Sequence, residues 1–368
     1  MSKKAKTKNV ANKAQKIVAN IPLKEIFATI KNVIQKAFKY LVGLPLKTIF
    51  VLIFITPLKK LAEFTAAWWR ALVIFFLAAI FLYYPIGGYL IHKIDTTPNP
   101  QFTTEKGSSR TVGAFEFLIN REVNKHLWTP NLPFFYPSFL LDNMPNFQLG
   151  ILSSVASFSQ IFSSKVDPSA VHSIQGDLAK AAELLQYPGT IWMFSPENRL
   201  IPVPSSTSKY REALRFLRQF NSGLHRNIEV FHPNENELQV FLRRVNNDLA
   251  KTSRDLSEHV RENSGNWFDF RADNVFYYHK GRIYAYAVIL NALGEDYQEI
   301  ILSHNLYEQW TFLIKALEQG SSLSPWIVRN GSLNSTNTPN HLMYLNFYSL
   351  NAQNTLLRIN AILEKREQ

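Results

Sequence analysis

Ala71 to Ile91 is a run of 21 residues without a charged side chain, rich in Phe, Leu and Ile. As a helix rising about 1.5 Å per residue it covers the roughly 30 Å hydrocarbon core of a bilayer. No other feature constrains the fold as strongly, because a segment this apolar has to be enclosed by something other than water. Trp68, Trp69 and Tyr89 lie near its ends, where amphipathic rings favour an interface, and Arg70 and Lys93 can extend outward from them. The run therefore predicts a transmembrane helix over residues 71–92. Pro85, Gly87 and Gly88 are the places where it can kink or let another element approach.

Charge gives the helix a direction. The chain of 368 residues carries a formal +12, and residues 1–70 alone hold 13 lysines and Arg70 against Glu25 and Glu63. Residues 94–368 are close to neutral, with 25 basic and 26 acidic side chains. Basic flanks stay in the cytoplasm, so residues 1–70 are expected inside and residues after 93 across the membrane, in the periplasm of a Gram-negative cell. A cleaved signal peptide fits poorly, since 70 residues precede the apolar run and no small-residue cleavage pattern follows it. Thr48–Leu58 is apolar but short. Extended back to Tyr40, it offers a competing hairpin of two spans that would return the body to the cytoplasm.

Residues 23–42 place Ile26, Phe27, Ile30, Val33, Ile34, Ala37, Phe38 and Leu41 at helical spacing, with Lys24, Lys31, Lys36 and Lys39 opposite. This pattern predicts an amphipathic helix on the inner leaflet, or packed against a partner's cytoplasmic helix. Binding of anionic lipid or nucleic acid through residues 1–70 is a further alternative. The interleaved arginines and aromatic residues of a nucleic-acid groove are absent, so no nucleic-acid partner is expected. The absence of cysteine excludes disulfides, thiolate metal sites and a thiol nucleophile.

Residues 93–112 read as a tether, and residues 113–368 as a helical domain on the far side of the membrane. Apolar spacing of three and four predicts helices near 113–126, 146–164, 168–186, 207–224, 234–263, 273–293, 296–319 and 340–364. The clearest stripe is Leu238, Phe241, Leu242, Val245, Leu249, Leu256 and Val260, with Asn234 or Asn236 as cap. Leu342, Leu345, Ala352, Leu356, Ile359 and Leu363 form a second seam, for a bundle or for a dimer. Only residues 190–196 and 282–288 carry strand-like patterns, the second inside a helical one. The fold class expected is all-α: an N-terminal transmembrane anchor followed by a multi-helix bundle, with two subdomains possible about residues 195–208.

Motifs for chemistry are scarce. The nine histidines show no zinc spacing, and no phosphate loop, dinucleotide fingerprint or G-x-S-x-G occurs. Ser206–Lys209 has the S-x-x-K spacing but lacks its companion motifs, and it sits where a helix needs a cap. No cofactor, metal ligand or catalytic residue is assigned. Two stretches hold more polar groups than their neighbours justify: Asp142, Asn143, Pro145 and Asn146 before one helix, and Asp273 and Asn274 opening another that bears Tyr277. Capping accounts for both, and a ligand or partner site is the competing reading.

At these stretches the chain resembles the bacterial membrane-anchored proteins grouped as domain of unknown function 2333. The resemblance rests on LDNMPNFQLG at Leu141–Gly150, YREAL at Tyr210–Leu214, FHPNENELQVFL at Phe231–Leu242 and ADNVFY at Ala272–Tyr277. It implies a single-span inner-membrane protein with a helical domain after the span and no assigned activity. The long Lys-rich N-terminus departs from that pattern. Together the readings point to a non-enzymatic interaction or scaffold module of the cell envelope, anchored in the inner membrane, with an envelope protein as partner. The alternative is a periplasmic enzyme acting on cell-wall or lipid material, with Asp142 and Asp273 as acid-base carboxylates. Oligomeric state is not fixed by the sequence.

Overall fold

The computed structural model describes residues 23–42, 48, 51–166, 176–194, 201–226, 231–265 and 269–365. Among them the chain is helical, with no β-strand and two isolated bridges, Phe194 with Pro202 and Asn330 with Asn340. It divides into two compact units, Met1–Ala79 and Ile80–Gln368, the division falling inside a long helix.

In the first unit, α1 (Leu23–Val42) has the predicted extent, and Ile30, Val33 and Ile34 of its apolar side are exposed. A π-helical turn, Val51–Ile55, leads into α2 (Thr56–Ile91). Residues 1–22, 43–47, 49 and 50 lie outside the described set, and with them part of the apolar stretch 40–58. Among the described residues Ala71–Ile91 is the one helix segment long and apolar enough to cross a membrane, and only 6 % of its most apolar window is buried.

The second unit contains α3 (Arg110–Asn120), α4 (Asn143–Val166), α5 (Asp177–Leu185), α6 (Ser206–His225), α7 (Glu235–Asn263), α8 (Ala272–Asp296), α9 (Gln298–Ser303), α10 (Tyr307–Ser322) and α11 (His341–Glu364). α8 is the central element, packed against α3, α4, α7, α10 and α11. That position explains the strand-like pattern at 282–288. Every residue from Phe276 to Leu293 except Tyr278 and Asn291 is buried, so no solvent face imposes a 3.6-residue rhythm. Two of its tyrosines find internal partners: the Tyr286 hydroxyl donates to Asp248, and Tyr284 accepts from Arg121 Nη1 at 2.7 Å.

The α7 stripe is buried throughout, and Asn234 caps the helix by accepting from Glu237 N at 2.9 Å. The α11 seam packs on α7 and α10, so it is a bundle seam. The expected helix 296–319 is two helices, because Asn305 takes φ +53°, a left-handed conformation that asparagine tolerates and that no helix continues through. The expected helix 168–186 is seen as Asp177–Leu185, with residues 167–175 outside the described set. The expected strand 190–196 forms a single bridge at Phe194, and residues 195–200, part of the expected subdomain junction, are not described.

The stretch expected as a tether is packed on the body. Phe102 stacks on Phe117 with centroids 5.3 Å apart, Arg110 donates to Phe102 O at 3.1 Å, and His225 Nδ1 lies 2.9 Å from Lys106 O. Its anchors recur irregularly along an extended strap, so no periodicity shows in the sequence. α3 then starts at Arg110, capped by Ser109, whose hydroxyl accepts from Val112 N and donates to Asp296 at 2.7 Å.

Candidate functional site

α4 and α8 make the most extensive helix pair in the body, and two glycines permit it. A Cβ on Gly150 would run into Tyr278 O, and one on Gly281 into Phe147 O, so the two backbones touch. Gly150 faces Tyr278 and Arg282 while Gly281 faces Phe147 and Ile151, and the two N-termini come together at one end. Asp142 precedes α4 and Asp273 lies in the first turn of α8. Burial first, then the charge of Asp142, raises the Asp273 carboxyl above its ordinary value. The Tyr277 hydroxyl is raised by burial, then by Asp273 and Asp142. The structure therefore gathers Asp142, Asp273 and Tyr277, which lie 131 or more residues apart in sequence or one helical turn apart.

The local bonds at both starts are of the capping kind. Asp142 Oδ1 accepts from Asn143 N at 2.9 Å, and Asn146 donates through its backbone (3.2 Å) and side chain (2.8 Å) to Asp142 O. Pro145 occupies the first turn, where a missing N–H leaves nothing unpaired. Asp273 Oδ1 accepts from Asn274 N at 2.9 Å. Asn143 Oδ1 and Asn274 Oδ1 are both buried without a hydrogen-bond partner among the described residues. Two carboxylates at two helix N-termini are also favourably placed in the helix dipoles.

Tyr277 also borders a cleft of about 470 Å³ with His92, Lys93, Ile94, Asp95, His126, Lys280 and Ser324. Lys280 was not singled out from the sequence, yet it is 2 % exposed, with Nζ donating to Leu323 O at 2.8 Å and lying 5.7 Å from the Tyr277 ring centre. Burial lowers its amine to about 8. Between about pH 8 and the ordinary lysine value near 10.4 the unfolded chain then holds a proton that the folded one has lost, so stability rises with pH in that window. Lys280→Met removes that rise. Thermal unfolding of both proteins at pH 7 and 10 should show the wild type gaining on the variant as pH increases.

Behind the cleft lies a buried ionic network that the sequence reading also missed. Arg121 Nε meets Glu122 Oε1 at 2.7 Å, and the two side chains are 5 % and 1 % exposed. Glu122 Oε2 accepts from Gln148 Nε2 at 3.1 Å and lies 3.3 Å from His126 Nδ1. Burial alone would raise the Glu122 carboxyl, but the His126 hydrogen bond and the Arg121 charge outweigh it and hold it below its ordinary value. Gln148, inside the LDNMPNFQLG motif, further accepts from Thr129 N at 2.9 Å and Oγ1 at 2.7 Å. The signal available in the sequence was an Arg–Glu pair running on from an apolar helix. A π-helical turn at Arg121–Lys125 carries both side chains inward.

Among the described residues no group of three or more His, Asp or Glu is arranged to hold a metal ion. The S-x-x-K stretch is structural. Ser205 caps α6 by accepting from Ser208 N at 3.2 Å, Ser206 Oγ bonds Pro188 O at 2.6 Å, and Lys209 pairs with Glu212 at 3.6 Å.

Residues 131–269 match the family model described as an uncharacterized protein conserved in bacteria (DUF2333), the family that the motifs resemble. The matched stretch contains the Leu141–Gly150, Tyr210–Leu214 and Phe231–Leu242 motifs and stops before Asp273. No curated protein and no solved structure matches the chain.

Proposed function

We propose that this chain is anchored by a single span, Ala71–Ile91, in the cytoplasmic membrane of a bacterium, and that its helical body, residues 94–368, is a non-catalytic interaction module of the envelope. The observation that carries the anchor is a helix whose apolar side chains stand exposed over 21 residues. Exposure of that much apolar surface to water is unfavourable by about 25 cal/mol per Å², whereas lipid removes the penalty. The concentration of basic residues before the span supports a cytoplasmic location for residues 1–70 and a periplasmic one for the body. Contact of α1 with the inner leaflet and an envelope protein as partner belong to the same reading.

A non-catalytic body is supported by how the polar groups of the site are engaged. Asp142 and Asp273 each bond the start of their own helix. The enzyme reading keeps one specific observation in its favour, the Asp273 carboxyl raised by burial and by the charge of Asp142, which is the setting of an acid-base pair.

Alkaline phosphatase fused after Gly107 and at the C-terminus should be active in both positions, and a fluorescent protein at the same points should stay dark. Fluorescence at both with inactive phosphatase would place the body in the cytoplasm and end the periplasmic reading. Asp142→Asn and Asp273→Asn should each retain partner capture by crosslinking in cells. If folded variants lose a turnover assayed on cell-wall or lipid substrates, the enzyme reading replaces this one.

A further inference from the structure

The loop between the π turn and α4 is bound to the flank of α2 well before that helix ends. Tyr83 donates to Phe135 O at 3.0 Å and Tyr84 to Phe134 O at 2.8 Å. Further along, Gly87 is open enough to receive Pro137, and a Cβ on Gly88 would lie 3.5 Å from Leu141 Cδ2. Tyr83 and Tyr84 precede Ile91 by eight and seven residues, about 10–12 Å along a helix axis. If Ala71–Ile91 lies in lipid, this loop is held at the depth of its last two or three turns.

The composition of the loop suits that depth. Residues 127–141 contain no charged side chain, nor do 187–194 or 201–208. Phe134, Phe139 and Leu140 are 67, 59 and 66 % exposed, and Phe135 meets Trp192 edge-on at 5.6 Å, joining the loop to a second exposed apolar stretch, Trp192–Phe194. Polar backbone, the usual bar to placing a loop near hydrocarbon, is largely met inside. Prolines at 130, 133 and 137 have no N–H. Tyr136, Phe139 and Leu141 donate to Pro133, Tyr136 and Ser138 carbonyls at 3.0, 3.0 and 2.9 Å, and the two tyrosine hydroxyls supply Phe134 and Phe135. Aromatic residues with satisfied polar groups are the kind that settle at a lipid interface.

We propose that residues 133–141 together with Trp192–Phe194 form a lipid-seated foot, inserted in the leaflet that faces the body beside the end of the span. This rests on the anchor reading but not on which side of the membrane the body lies. The occupant of the patch is lipid, because the tyrosine bonds fix the patch to a helix segment that itself faces lipid. The foot sets the body's orientation on the bilayer surface and brings the cleft with Tyr277 and Lys280 close to the headgroups.

The chain has no cysteine, so single labels are available without background. Phe139→Cys and Leu140→Cys, with Leu77→Cys in the span and Thr336→Cys on an exposed loop, are spin-labelled in the full-length protein in phosphatidylethanolamine–phosphatidylglycerol nanodiscs. Collisions with oxygen, which partitions into lipid, are compared with those of a water-soluble nickel chelate. Oxygen should dominate at 77, 139 and 140, and nickel at 336. Oxygen at 77 with nickel at 139 and 140 would overturn the foot and leave the anchor standing. Labels at 139 and 140 immobilised and shielded from both reagents would mean a protein covers the patch, which also overturns it. Nickel at 77 would sink the anchor itself.

Discussion

Gly281→Val lowers the stability of the body by about 3 kcal/mol or more. A Cβ at this position would overlap a backbone carbonyl, Phe147 O, which cannot swing aside as a side chain can. Overpacking of a close-packed interface is unfavourable by about 1–3 kcal/mol, and here two whole helices have to separate. Alanine at position 281 regains about 1 kcal/mol of helix propensity, so Gly281→Ala loses less than valine but still loses. For a body of this size 3 kcal/mol lowers Tm by about 6–12 °C. Gly88→Ala is the control: its Cβ makes an ordinary 3.5 Å contact, and Tm in detergent should not fall. Because the same contact brings Asp142 to Asp273, Gly281→Val should also return Asp273 toward its ordinary value. A valine variant as stable as wild type would show that α4 and α8 do not meet in this way.

Glu122→Gln is the second large effect, about 3–5 kcal/mol, because it leaves the Arg121 guanidinium buried without its counter-charge. A double variant, Arg121→Met with Glu122→Gln, should lose less than the single one, since it removes the unpaired charge along with the pair. The pH dependence carries the sign. Glu122 is held below its ordinary value, so its contribution is fully present above the unfolded value near 4.3 and is lost as pH falls through the folded one. The Tm gap between wild type and Glu122→Gln should be widest near pH 7 and narrow below about pH 4. A gap independent of pH would mean that packing, not charge, is what the glutamate supplies.

The two candidate stretches illustrate what could be read in advance. Asp142, Asn143, Pro145 and Asn146 were legible as a helix start, because short polar side chains and proline act on their own neighbours. That Asp142 would influence Asp273 was open in the sequence and was decided by Gly150 and Gly281. Lys280 was not legible, and Arg121–Glu122 showed only as an adjacent charge pair after an apolar helix, with nothing to mark it as buried. A charged residue is ordinarily taken as a solvent marker, and only knowledge of the packed neighbours reveals when it is buried. The strand-like 282–288 shows the same limit for secondary structure, since a helix buried on every side has no rhythm to read.

What the sequence by itself determined is what depends on runs and periods along the chain: a charge-free stretch long enough for a bilayer, a basic segment before it, amphipathic helices after it, and the match of residues 131–269 to a family model. These are local properties, set by each residue and those within a turn or two. Only the tertiary structure decided that the supposed tether is a packed strap, that two distant carboxylates share one end of a helix pair, and that an aromatic loop is bonded to the flank of α2. Each of those arises where segments far apart in sequence meet, and there close packing and burial, rather than local preference, select the partners.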